Sequence, residues 1–195
     1  MDFETIPLLE DSRVLLRPFQ PADIPELRTI AFDEEIWRYM VTRISNEQEL
    51  AEWVRTVTEG YQKGTRYTFM IVDKATGQLA GSTSYGNISV ADKRVEIGWT
   101  WLSREFRGSG LNRHCKFLLL RYAFEELHLE RVELKGDALN ARSRKAMRKI
   151  GAIEEGILRS HTLMHDGRRR DTVYYSILRP EWDQIKKTVF GDLPA

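Results

Sequence analysis

Cysteine is almost absent from this chain: one residue, Cys115, among 195. A lone cysteine excludes an internal disulfide and fits a reducing compartment. It falls on the apolar stripe of a predicted helix, where a small core residue is the plain reading and a nucleophile is not. An excess of either charge is missing too, because 30 Lys and Arg stand against 29 Asp and Glu for a formal net charge of +1. A general nucleic-acid binder needs a large basic surplus, so nucleic acid is not an expected partner and any basic patch is local. No apolar run is long enough to cross a bilayer and no signal peptide is evident, so no membrane partner is expected and cytoplasm is the default location. Histidine is scarce. His161 and His165 stand four apart on a predicted strand with no third ligand evident, so no metal is expected. Repeats, linkers and low-complexity stretches are also missing, which leaves one domain over residues 1–195.

What is present is organised around residues 96–113, EIGWTWLSREFRGSGLNR. Val95, Ile97, Trp99 and Trp101 alternate with Glu96, Gly98, Thr100 and Leu102, the two-residue period of a strand with two faces. From Leu111 the period becomes helical, through Cys115, Leu118, Leu119, Tyr122, Ala123 and Leu127. Between them lies Arg107-Gly108-Ser109-Gly110. Two glycines let the main chain approach a ligand closely, and the first N–H groups of a helix point outward at its positive end. Arg107 adds a planar fork suited to phosphate oxygens. Leu111, Asn112 and Arg113 supply the first helical turn of this predicted anion cradle, whose expected occupant is a pyrophosphate. It is not a P-loop, lacking the Lys-Ser/Thr pair, and Arg113 stands where a dinucleotide fingerprint would have its third glycine.

In chain order, the periodicities predict a strand at 14–18 and a helix opened by Pro21. A charged and aromatic connection follows at 33–40, then a helix from an Asn46/Glu49 capping pair to a glycine at 60 or 64. Strands follow at 67–74, 78–89 and 94–102, then the helix from Leu111, a strand at 131–135 and a short helix at 140–151. A hairpin of 153–165 and 170–178 turns at Asp166-Gly167, before a terminal helix at 180–190 with no evident chemistry. The order β-α-α-β-β-β-α-β-α-β-β implies an α+β, three-layer domain. Its sheet is mixed and mostly antiparallel, with helices on both faces and a parallel crossover at 95–135.

Residues 139–150, LNARSRKAMRKI, form a second motif, with Asn140 placed to cap the helix and Ser143 in its first turn. Its five basic residues read by themselves as a solvated face. Taken together, the two motifs resemble the Gcn5-related N-acetyltransferases (GNAT), and within them the RimJ/RimL-like branch. Arg107-x-x-Gly110-x-Asn112 stands where that family has Gln/Arg-x-x-Gly-x-Gly/Ala, and Asn140-Ala-Arg-Ser143 with Ile150-Gly151-Ala152 resembles the branch's Asn-x-x-Ser…Leu-Gly-Phe signature. Val95-Glu96-Ile97-Gly98-Trp99 looks like its fourth strand, and the resemblance runs over 13–183. Three departures stand out. Asn112 replaces a small residue, Met147 sits where many members carry a general-acid tyrosine, and Thr162 beside His161 stands where some ribosomal-protein-modifying members place an acid.

The resemblance implies a seven-stranded sheet with a central splayed parallel pair. It also implies acetyl-CoA as co-substrate without a metal, and direct transfer to a primary amine. Trp101 and Leu102 would pair with the pantetheine amides, Leu102 N–H would face the thioester oxygen, and Asn140 would take an amide from the other side. Residues 107–113 would hold the pyrophosphate. Glu96 is the candidate base, on the face opposite Ile97 and Trp99; equally, it would simply pair with Arg131 or Lys135. Ser143 would orient or protonate the sulfur, or only bond the helix start. The acceptor end, flanked by 33–40 and 161–170, mixes signs. This favours a peptide or protein N-terminus, or another amine on a polar body, over a polyamine. The alternatives are a small-amine or antibiotic acetyltransferase, and a CoA-binding regulatory module without catalysis. A nucleotide-binding protein is a distant third, and a homodimer is left open.

Overall fold

Alternating apolar residues pair into a sheet wherever a turn brings two runs side by side. In the computed structural model, which describes residues 7–193, this gives β1 (Leu9–Glu10), β2 (Val14–Pro18), β3 (Arg66–Asp73), β4 (Leu79–Ser89), β5 (Arg94–Leu102), β6 (Arg131–Asp137), β7 (Ile153–Leu163) and β8 (Arg169–Leu178). The helices are α1 (Ile24–Ala31), α2 (Glu34–Trp37), α3 (Glu47–Gln62), α4 (Leu111–Arg121), α5 (Ala141–Lys149) and α6 (Arg179–Val189). The sheet has eight strands in the order β1-β2-β3-β4-β5-β6-β8-β7, one more than expected, because two-residue β1 is too short to show an alternation. The 33–40 connection also holds a short helix, α2, capped by Asp33 through Glu35 N–H. Asn46 caps α3 as its spacing predicted, its side chain accepting from Glu49 N–H.

Only β5 and β6 are parallel, and they pair solely through residues 94–96 with 131–133. Beyond those pairs the strands part, so residues 97–102 and 134–137 have no partner in each other. Helices cover both faces. α4, α5 and α6 share one core with Val95, Ile97, Val132 and Tyr175, while α1, α2 and α3 share another with Met70, Leu79 and Trp101. α4 is buried all round from Cys115 to Leu120, since Trp182 of α6 and Phe190 just past its end lie against Phe117 at ring separations of 6.4 and 5.4 Å. The terminal helix is therefore a cover for the crossover helix.

One irregularity decides the geometry of β5. The β4–β5 register steps from Ser84↔Gly98 to Ser82↔Trp101, a bulge that leaves Trp99 and Thr100 facing Thr83 alone, with Trp99 at φ +50°. Strict alternation would place Val95, Ile97, Trp99 and Trp101 on one face, and the bulge overturns that expectation. Val95 and Ile97 face α4, whereas Trp101 lies among α1–α3 with its ring 5.3 Å from Trp37. Trp99 lies over Gly86, on the same face as Glu96 and not opposite it, because Gly86 and Glu96 are cross-strand partners.

Candidate active site in the β5–β6 gap

β5 gives the gap a free main-chain edge. Ser103 N–H donates to Ala80 O at 2.8 Å, and antiparallel alternation then turns Trp101 toward Ser82 and Leu102 away from β4. Leu102 thus presents its N–H and C=O to the gap, and its carbonyl accepts from Arg107 Nε at 3.0 Å. The paired expectation for Trp101 and Leu102 is corrected by this alternation. Of the two, Leu102 offers its main chain, and Trp101 contributes a buried ring whose Nε1 has no partner among the described residues.

At the open end of β5 comes the glycine loop. Gly108 and Gly110 have φ values of +81° and +88°, the left-handed conformation glycine adopts without strain, and a Cβ on either would meet nothing within 4 Å. Ser109 Oγ donates to Phe106 O at 2.8 Å and accepts from Leu111 N–H, which fixes the loop from inside. Asn112 Oδ1 and Ser103 Oγ are buried without partners among the described residues. Two arginines are turned away from the cradle. Arg107 points inward, to Asp33 at 2.9 Å and Glu35 at 3.6 Å, while Arg113 forks onto Asp192 and the Val189 carbonyl. The cradle is therefore made of main-chain N–H groups and a helix start, with Arg107 as the brace behind it.

The opposite wall is the end of β6 and the start of α5. Asn140 Oδ1 accepts from Ser143 N–H at 3.0 Å, which caps α5 and leaves the Asn140 Nδ2 group as a donor. A Cβ on Gly136 of β6 would stand 3.5 Å from Ser143 Oγ and 3.1 Å from Met147 Cε, so both side chains lie directly over the strand. Met147 is buried. The segments 33–40 and 161–170 do meet, where His165 Nε2 lies 3.1 Å from Trp37 O. His161 instead faces Thr172 and Tyr174, so the two histidines serve different partners.

Glu96 sits where the two strands part. It is 6% exposed, pairs with Lys135 Nζ at 2.8 Å and accepts from Asn87 Nδ2. Of the two possible cationic neighbours, Lys135 is the partner, while Arg131 turns to Glu133 and Glu155. Lys135 lies 4.7 Å over the Tyr174 ring. Burial alone would lower its pKa, but the hydrogen bond and charge of Glu96 outweigh this and hold it above the ordinary value. An open pocket of about 550 Å³, lined by Asn87, Arg94, Glu133, Lys135 and Tyr174 among others, borders this pair.

A family model described as "Acetyltransferase (GNAT) domain" matches residues 13–153. The chain belongs to the GNAT family. It is similar to the "Putative ribosomal N-acetyltransferase YdaF" of Bacillus subtilis (strain 168), 29% identical over 187 residues that cover 90% of this chain and 97% of that one. The "Uncharacterized N-acetyltransferase p20" of Bacillus licheniformis is 27% identical over 89% of this chain and 97% of its own. The crystal structure of a GCN5-related N-acetyltransferase from Brucella melitensis superposes with a TM-score of 0.87 at 26% identity, covering 95% of this chain and 84% of that one. This GNAT chain is an N-acetyltransferase with RimJ/RimL-like relatives.

Two features of this GNAT domain escape its sequence. Lys116, on α4, is 5% exposed and donates to Thr100 Oγ1 at 2.7 Å and Thr83 Oγ1 at 3.4 Å, the residues on either side of the bulge. No carboxylate among the described residues pairs with it, and burial pulls its pKa down to about 8. Gly81, at φ +151°, is the other. A Cβ there would lie 2.1 Å from Trp101 O. Neither carries a local pattern, since each role depends on a strand remote in sequence.

Proposed function

We propose that the chain transfers an acetyl group from acetyl-CoA directly to a primary amine, with a peptide or protein N-terminus as the acceptor. The observation that carries the reading is the gap itself, with one wall offering Leu102 main chain, one end the glycine loop, and the other wall Asn140 and Ser143. When bound, acetyl-CoA supplies an activated acyl thioester. Within residues 107–113 the N–H groups of Gly108, Gly110 and Asn112 hold its pyrophosphate, Leu102 C=O and Asn140 Nδ2 orient the pantetheine arm, and Leu102 N–H stabilises charge developing on the acyl oxygen.

Glu96 takes the proton of the incoming ammonium, directly or through one water, and Lys135 fixes the carboxylate at the point where the strands part. Ser143, over Gly136, orients the departing sulfur. The thiol, with a pKa near about 8.5, leaves without a strong acid, which suits a site where Met147 replaces a tyrosine. The acceptor is assigned from the mixed charge around Trp37 and His165 and from the ribosomal acceptor named for YdaF. The test is CoA release with acetyl-CoA and a panel of N-terminal peptides, polyamines and aminoglycosides. Peptides are expected to give the highest kcat/KM, a polyamine with a higher value would displace the acceptor assignment, and CoA binding without turnover on any amine would mark a regulatory module.

A further inference from the structure

A cavity of about 290 Å³ opens between α3, β3 and the tip of the β7–β8 hairpin, with Trp53, Arg66 and His165 in its wall. Its acids are already matched: Glu49 is held by Arg43 at 2.6 Å and by Ser45, and Glu52 pairs with Arg55 at 3.0 Å. Arg66 is different. Its Nε donates to Ser84 Oγ at 3.1 Å and its guanidinium stacks 4.5 Å from the Trp99 ring, yet no carboxylate among the described residues lies within ion-pair distance. Its two terminal nitrogens have no partner there either. Stacking satisfies the face of a guanidinium and leaves its N–H edge, the part that forks a carboxylate, unspent.

Register ties this cation to the reaction centre. Arg66 pairs with Gly86, and Gly86 pairs with Glu96, so Arg66 and Glu96 share one sheet face two strands apart, roughly 10 Å between backbones. Gly86 places no side chain between them, and the Trp99 ring that covers it is the ring Arg66 stacks on. An N-terminal amine and a side-chain carboxylate on residue one or two fit between the two side chains, which themselves reach toward each other across that distance, about three residues of extended chain. Arg66 is part-buried; burial draws its pKa down to about 10 against the opposing pull of the Glu96 charge, which leaves it a cation at neutral pH.

We propose that Arg66 is the anion anchor of the acceptor site, so that the preferred acceptors are amines that also carry a carboxylate. The inference rests on the transferase reading of the same site. The carboxylate comes either from an acidic side chain at residue one or two of a peptide N-terminus or from a free amino acid, and the guanidinium edge recognises both in the same way.

The experiment reads binding, not turnover. Calorimetry on the CoA-bound protein compares peptides identical except for Asp, Asn or Lys at residue one or two, with free aspartate and glutamate as a separate arm. The Asp peptide is expected to bind at least tenfold more tightly than its Asn counterpart, with Lys weakest. Arg66→Gln is expected to bring the Asp/Asn ratio close to one, and Arg66→Lys, which keeps charge and loses the fork, to leave an intermediate ratio. Equal affinity of the unmodified protein for Asp and Asn peptides and free amino acids alike overturns the proposal, as does a preference that survives in Arg66→Gln. If Arg66→Gln does not fold, Arg66→Lys decides: an undiminished ratio there rejects the fork. A protein that prefers acidic peptides but acetylates none separates failure of the transferase reading from failure of this one.

Discussion

Glu96 and Lys135 hold each other at 2.8 Å, and one substitution separates the two jobs open to the carboxylate. Glu96→Gln keeps the size and removes the proton acceptor. As the base, Glu96 supplies about 100-fold in kcat, and its loss changes the pH–rate profile while acetyl-CoA affinity stays put. Wild-type rates at every pH in a folded variant would leave it a structural ion pair. Lys116 makes a second prediction at this scale. Its pKa falls from the ordinary 10.5 to about 8 on folding. Between those values the unfolded chain binds more protons than the folded one, so stability rises with pH from about 8 to about 10.5. Below that window the buried ammonium carries a constant cost of about 3 kcal/mol. Thr83 and Thr100 bond each other at 2.8 Å without it. Lys116→Met is therefore expected to be more stable at pH 7 and to lose the alkaline slope in denaturant titrations; an unchanged slope would refute the assignment. The sequence showed Glu96 and both of its possible partners, because strand alternation and βαβ register are local rules. It hid Lys116, because the helical stripe ran through its neighbours and nothing local told that Thr83 and Thr100 of the sheet would lie against it.

The glycine loop and the bulge are elements whose glycines do opposite things. At Gly110 a Cβ has open space but the backbone is left-handed, so Gly110→Ala costs about 1 kcal/mol in stability. It also sets a methyl at the mouth of the cradle, and acetyl-CoA affinity is expected to fall at least tenfold. Affinity equal to wild type would move the pyrophosphate elsewhere. At Gly81 a Cβ meets the Trp101 carbonyl, so Gly81→Ala forces β4 from β5 and is expected to cost more than about 3 kcal/mol, beyond the ordinary range of a single change. A melting temperature within two or three degrees of wild type would contradict the packing. The first glycine pair was legible, standing between a strand period and a helix period. The second was not, because its need arises from a carbonyl twenty residues away. The bulge itself was misread from alternation: four apolar residues in perfect period two cannot announce that a step between the second and the fourth will turn Trp101 to the other face.

At the scale of the molecule, a ligand seated between β5 and β6 binds the folded state only. At 100 times its Kd, acetyl-CoA is expected to add about 2.7 kcal/mol, a rise of roughly 5–11 °C in Tm for a domain this size, while ATP at equal concentration adds little. Equal protection by ATP would favour a nucleotide-binding protein. The element order, the hairpins and the one parallel crossover were legible, since turns and periods are local; the insertion of β8 between β6 and β7 was not, because either strand of a hairpin can pair outward, and β1 was too short to register. The sheet is in fact two antiparallel leaves, β1–β5 and β6–β8, joined at a spine three residues long. Lys93 O adds clasps from Glu130 N–H at 2.8 Å and Arg131 N–H at 3.3 Å, and Arg94 reaches Glu133 at 3.7 Å. The free arm of β5 beyond the spine is six residues, roughly 20 Å, so a turn of about 5° at the spine moves Leu102 by nearly 2 Å. Such a turn would make the leaves a lever, with the fulcrum beside Glu96 and the load at the edge that would grip the pantetheine. Amide exchange at residues 131–133 is expected to slow when acetyl-CoA closes the leaves; exchange that ignores the ligand would mean that the spine is rigid and the arm does not swing.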